Sequence, residues 1–163
     1  MSTIIYNCGQ TENNYDRRLH MKGAAEIVLE CCTHYLNENG QKTQLNDDVK
    51  QKFLNIITTY ASQSLRTISF AYRDLKPNEG GPDHNIIGDG DYLYEVEKGS
   101  FTLISIIGIK DVIRPEVPIA IAQCHKAGIT VRMVTGDNLI TAKAIARECN
   151  ILNDELFNKP DSV

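Results

Sequence analysis

Ile129-Thr130-Val131-Arg132-Met133-Val134-Thr135-Gly136-Asp137-Asn138 carries an apolar, largely β-branched run straight into a glycine and two side chains that cap helices. The run 129–134 is short and bounded by Gly128 and Gly136, as expected of a buried strand. Behind it Leu139, Ala142, Ala146 and Cys149 recur at helical spacing, while Lys143 and Arg147 fall on the outer side. Asp137 or Asn138 is the expected N-cap of that helix. A strand end, a glycine and a helix N-terminus put free backbone N–H groups beside the Thr135 hydroxyl, a donor set that suits a phosphoryl group. An ordinary strand-to-helix turn fits the same spacing, so the surroundings have to decide.

Upstream, 101–109 is the longest apolar run and reads as a buried central strand. Lys110-Asp111-Val112-Ile113-Arg114-Pro115 breaks it, with Pro115 in the first turn of a helix lined by Val117, Ala120, Ile121 and Cys124 and ended by Gly128. Strand, helix, strand, helix predicts a βαβ unit with a parallel sheet and a right-handed crossover. Ligands of such sheets lie off the carboxyl ends of the strands, where Thr135-Gly136-Asp137 would sit. The order of elements therefore suggests two modules: a mixed α+β piece ending near Gly99, then an α/β piece, with a hinge near 107–114.

In the first module, residues 2–7 and 17–21 read as strands of a hairpin around a polar, turn-rich stretch. Lys22-Gly23-Ala24 opens a helix with Ile27, Val28, Cys31 and Tyr35 as its buried stripe, closed by Asn39-Gly40. A longer helix starts near Asn46, carrying Val49, Phe53, Ile56, Ile57 and Tyr60. Residues 64–72 alternate as a strand does, although polar members on both faces leave the core side open. Lys22 at a strand end and Arg66 within an otherwise uncharged strand are the two cations of interest; both also fit solvated surface positions. Residues 74–92, with Pro77, Pro82 and four glycines, read as a long surface loop. Gly88-Asp89-Gly90-Asp91 inside it lacks the remaining ligands of a calcium loop and reads as a turn.

Composition sets the limits. The chain has 163 residues, 42% hydrophobic and 23% charged, which supports one sizeable core or two small ones. A net charge of −4 with no lysine/arginine block gives nucleic-acid binding no electrostatic support. No apolar run approaches the roughly 20 residues a membrane helix needs, and no signal peptide is visible. Cys8, Cys31, Cys32, Cys124 and Cys149 are odd in number and lack C-x-x-C spacing, which favours a reducing compartment over a disulfide framework. No metal site is read from them or from His20, His34, His84 and His125.

Four motifs in sequence order resemble the cytoplasmic region of P-type cation-transporting ATPases, plasma-membrane-type calcium pumps above all. They are Lys22-Gly23-Ala24, Ser64-Leu65-Arg66, Asp111-Val112-Ile113-Arg114-Pro115 and Met133-Val134-Thr135-Gly136-Asp137-Asn138. They resemble the family's K-G-A motif, its strand with the second nucleotide-binding arginine, its D-P-x-R hinge and its M-V-T-G-D-N; residues 114–146 are the most specific stretch. The resemblance implies an α/β chain: residues 1–100 as the C-terminal part of an α+β nucleotide-binding domain, and 101–163 as a partial haloacid-dehalogenase-like parallel α/β phosphorylation domain. It implies ATP contacts by Lys22, Gly23, Arg66, Asp111 and Arg114. Thr135, Gly136 and Asp137 would touch the phosphoryl group in flight, where fixed donors stabilise developing charge.

ATP and Mg2+ are the implied cofactors. The implied partners are ATP and the remainder of the pump, with no nucleic acid and no direct membrane contact by this segment. The implied location is the cytoplasmic face of a plasma membrane or internal calcium store. The family's phosphorylated D-K-T-G-T aspartate and its G-D-G-x-N-D magnesium aspartate are not in the sequence, so the chain is expected to be a piece of a pump and inactive by itself. Val112 stands in place of the hinge proline and Asn150 in place of a glycine. A stand-alone, non-catalytic nucleotide-binding or interaction module is the alternative. A soluble dehalogenase-type phosphatase would need a D-x-D-x-T/V motif, which is absent.

Overall fold

The computed structural model describes residues 2–7, 17–76, 86–87 and 93–152. It is mixed α/β, with one six-stranded sheet and a two-stranded ribbon. The elements are β1 (Ser2–Asn7), β2 (Arg17–Ala24), α1 (Ala25–Glu30), β3 (Cys32–Leu36), β4 (Lys42–Gln44), α2 (Asp47–Ser62) and β5 (Leu65–Leu75). There follow β6 (Ile86–Ile87), β7 (Leu93–Tyr94), a 3-10 turn (Glu95–Glu97), β8 (Phe101–Lys110), α3 (Glu116–Lys126) and α4 (Leu139–Glu148). The strand order of the large sheet is β1-β2-β5-β8-β3-β4.

The expected hairpin forms: β1 and β2 pair antiparallel from Ser2↔Lys22 to Asn7↔Arg17. β2 continues against β5 from Arg17↔Leu75 to Ala24↔Ile68, setting Gly23 opposite Ser69. The core face of β5 carries Ser69, Ala71 and Leu75, all buried, which settles an alternation that its polar members had blurred. β3 runs parallel to β8, with Cys32↔Phe101 and Tyr35↔Leu103 in register, and antiparallel to β4.

Several expectations fail, among them the loop over 74–92, where 74–75 belong to β5 and 86–87 form β6. The helix expected from Ala24 to Asn39 stops after Glu30, and 32–36 becomes β3. Thr33 and Tyr35 favour a strand, and a place between β8 and β4 outweighs helical periodicity. The strand expected at 129–134 is likewise not formed. Its intended partner, β8, already has β5 on one edge and β3 on the other, so no ladder is open to it. Ile129 instead donates its N–H to the Cys124 carbonyl (2.9 Å) at the end of α3, and Val134 is 98% exposed. The parallel sheet expected over 101–134 is therefore absent among the described residues, where β8 runs parallel to β3. Gly88-Asp89-Gly90-Asp91 and Cys8 lie outside the described residues.

The chain divides into two compact units, 1–54 with 68–107 and 55–67 with 108–163. The core of the first is Leu19, Met21, Val28, Leu29, Leu75, Phe101 and Leu103. In the second, Ile57, Ile121 and the alanines of α4 are buried. Asn46 caps α2 by accepting the Val49 N–H at 2.9 Å. α3 and α4 each close on the paired bonds of a Schellman turn, with Gly128 (φ 73°) and Asn150 (φ 62°) in the left-handed position. Asparagine tolerates that position better than most non-glycine residues, which accounts for Asn150.

Candidate phosphate-binding loop

The loop 135–138 is built by the start of α4. Asn138 is its N-cap, its side-chain oxygen accepting the Ile140 N–H at 2.9 Å, while the Asp137 N–H turns back onto the Thr135 hydroxyl at 3.1 Å. Of the two caps the sequence left open, Asn138 takes the role. Thr135 and Gly136 are exposed, and a Cβ placed on Gly136 would meet nothing within 4 Å. The loop thus presents a hydroxyl and unobstructed backbone to solvent at a helix N-terminus, where the helix dipole favours anions.

Arg66, from the first turn of β5, reaches this loop: its Nε lies 2.7 Å from Oδ1 of Asp137. The guanidinium side chain is 56% exposed and the carboxylate 18%. At that exposure the pair contributes about 0.2–1 kcal/mol. A phosphate carrying two charges can therefore compete for the guanidinium, whose fork matches paired oxygens. Two further bonds fasten the same strand entry to α4. The Ser64 hydroxyl donates to Glu148 Oε1 at 2.7 Å, and the Thr141 hydroxyl donates to the Leu65 carbonyl at 3.3 Å. Among the expected site residues, the structure therefore joins Arg66 to Asp137, next to Thr135 and Gly136. Asp111 and Arg114 are exposed on the irregular 111–114 segment of the same unit, and neither pairs with the loop. Lys22, exposed on β2, and Gly23 belong to the other unit. Sequence reading missed Ser64 and Glu148; the signal available was a serine at a helix-to-strand junction.

Residues 1–116 match the family model of the P-type ATPase, cytoplasmic domain N. The chain belongs to that family. Its relatives among P-type ATPases include calcium-transporting ATPase 2, plasma membrane-type, of Arabidopsis thaliana, 48% identical over 141 residues, or 85% of this chain and 12% of the relative. Calcium-transporting ATPase 1, plasma membrane-type, of Oryza sativa subsp. japonica is 46% identical over 85% of this chain and 12% of its own length. The plasma membrane calcium-transporting ATPase mca-1 of Caenorhabditis elegans is 46% identical over 93% of this chain and 13% of its own length. The domain N chain thus spans about an eighth of the length of these pumps. Every motif that carried the resemblance except the T-G-D-N loop lies within the 1–116 match.

Proposed function

We propose that this chain serves as the nucleotide-binding and adjoining phosphorylation-domain segment of an ATP-driven, calcium-transporting P-type ATPase. The observation that carries the reading is the ion pair between Arg66 and Asp137, which puts a guanidinium beside the Thr135–Gly136 loop. In this reading Arg66 leaves Asp137 for the phosphates, while Lys22 and Gly23 approach the base and ribose. Asp111 and Arg114 hold the domains over the nucleotide, and Thr135, Gly136 and Asp137 contact the transferring phosphoryl group. The groups at the loop suit a phosphate: the Arg66 guanidinium, the Thr135 hydroxyl and the exposed backbone of Gly136. They do not fit magnesium. No group of three or more His, Cys, Asp or Glu side chains able to hold a metal ion occurs among the described residues.

In this reading residues 1–100 are the C-terminal part of the nucleotide-binding domain and 101–163 begin the second segment of the phosphorylation domain, the family match running over 1–116. Of the latter, α3 and the Asn138-capped α4 are assigned to a haloacid-dehalogenase-like fold whose sheet would be supplied by the rest of the pump. No helix among the described residues is long and apolar enough to cross a membrane.

NMR titration of the chain with ATP tests the reading. Shifts at Lys22, Arg66 and Gly136 with affinity weaker than micromolar are expected, since neither the phosphorylated aspartate nor the magnesium carboxylate is present. Absence of shifts at Arg66 and Gly136 would overturn it. On the full-length parent, a calcium-dependent, hydroxylamine-sensitive phosphoenzyme is the expected outcome.

A further inference from the structure

We propose that Ser64 and Glu148 form a positioning pair that fixes Arg66 on the 135–137 loop and so sets its presentation to a phosphate-bearing ligand. The proposal deepens the phosphate-site reading and rests on it for the identity of the ligand. Three consecutive residues engage α4 and the loop that leads into it: Ser64 meets Glu148, the Leu65 carbonyl meets Thr141, and Arg66 meets Asp137. Two strand steps advance about 7 Å, whereas the span from 137 to 148 along α4 is about 16 Å. The middle contact is made by a backbone carbonyl, and the long side chains of Arg66 and Glu148 make up the difference at the ends. The strand entry is therefore held at two points behind the guanidinium.

Both members of the pair sit where local preferences oppose them. Ser64 closes α2 with φ 60°, a left-handed conformation that glycine would adopt more cheaply, and it is 3% exposed. Glu148 ends α4, where the helix dipole disfavours an acid. Two locally unfavourable choices meet in one hydrogen bond of 2.7 Å. Such departures persist where the surroundings impose them, and they gather at functional sites. What this one secures is the direction in which β5 begins, and Arg66 is two residues along.

The variant Ser64→Gly separates the roles, because it relieves the backbone while deleting the hydroxyl. Glu148→Ala deletes the acceptor from an exposed side chain, and Glu148→Gln keeps an acceptor. In the ligand-free chain, the Arg66 Nε–H resonance is read for chemical shift and water exchange, with the amide spectrum as the check on folding. Ser64→Gly and Glu148→Ala are expected to move that resonance and speed its exchange, with Glu148→Gln staying near the parent chain. ATP affinity should fall about threefold to tenfold in the first two, the scale of one ordinary intramolecular hydrogen bond. An Arg66 resonance unchanged in folded Ser64→Gly and Glu148→Ala would overturn the proposal. If ATP leaves Arg66 unmoved in the parent chain, the nucleotide reading fails, while the ligand-free resonance still decides the positioning role.

Discussion

At Cys32 the thiol is 7% exposed and donates to the Val28 carbonyl at 3.1 Å. Burial pushes its pKa up to about 12 from the ordinary 9.0; the neighbouring Cys31 thiol adds to the rise and Lys50 opposes it. A folded-state pKa above the unfolded value means that the folded chain holds a proton the unfolded chain has already released. Stability is thus complete below about pH 9 and lost progressively as pH rises toward 12. The urea midpoint should fall across that window, and Cys32→Ala should flatten the fall. It should not abolish it, because burial also raises Cys31 and Cys149. A midpoint with the same pH slope in the parent chain and in Cys32→Ala would refute the assignment. Part of the candidate site was legible at this scale. Arg66 stood out as a charge in an uncharged strand, and Asn138 as a cap. Ser64 and Glu148 were not, since a buried left-handed serine is defined by a backbone angle and by a carboxylate 84 residues away.

Elements obey the same logic of ends and edges. α4 starts on Asn138, and Asn138→Ala should cost about 1 kcal/mol of stability, the usual loss for a side-chain cap. Its other end turns on Asn150 in the left-handed region, so Asn150→Gly should stabilise by a few tenths to about 1 kcal/mol. Thermal melts of the two variants should move in opposite directions. β8 meets the end of α2 closely: a Cβ on Gly108 would lie 2.9 Å from Leu65 Cδ1 and 3.2 Å from Tyr60 Cδ2. Gly108→Ala should destabilise by about 1–3 kcal/mol through overpacking, and Leu65→Ala in the same chain should recover part of that. Additive losses in the double variant would show that the two do not touch. Helices α2, α3 and α4 were legible because period and caps agree within each segment. β3 and the 129–134 run were not, because a strand depends on neighbours outside its own sequence. The first found a ladder beside β8, and the second met a β8 already paired on both sides.

Across the whole molecule, the two units differ in what they bury. The first holds seven large apolar side chains almost fully covered, Leu19, Met21, Val28, Leu29, Leu75, Phe101 and Leu103. Among the described residues, the second covers only Ile57 and Ile121 to that degree, and the rest of its core is Ala61, Ala142, Ala144, Ala146 and Cys149. It leaves Ile109, Val112, Ile119, Ile129, Val134, Leu139 and Ile140 exposed. Each large side chain fully buried contributes about 1.5–3 kcal/mol and an alanine much less, so the second unit has the smaller reserve against unfolding. Hydrogen exchange should therefore divide along the units. Amides of α3 and α4 should exchange through an opening of lower free energy than those of β2 and the 68–75 part of β5, and mild urea should abolish α4 protection first. Val134→Lys should leave both protection levels in place, because that side chain is already in water. Equal opening energies for α4 and β2, or collapse of α4 protection in Val134→Lys, would mean that the alanine-rich core is not what limits the second unit.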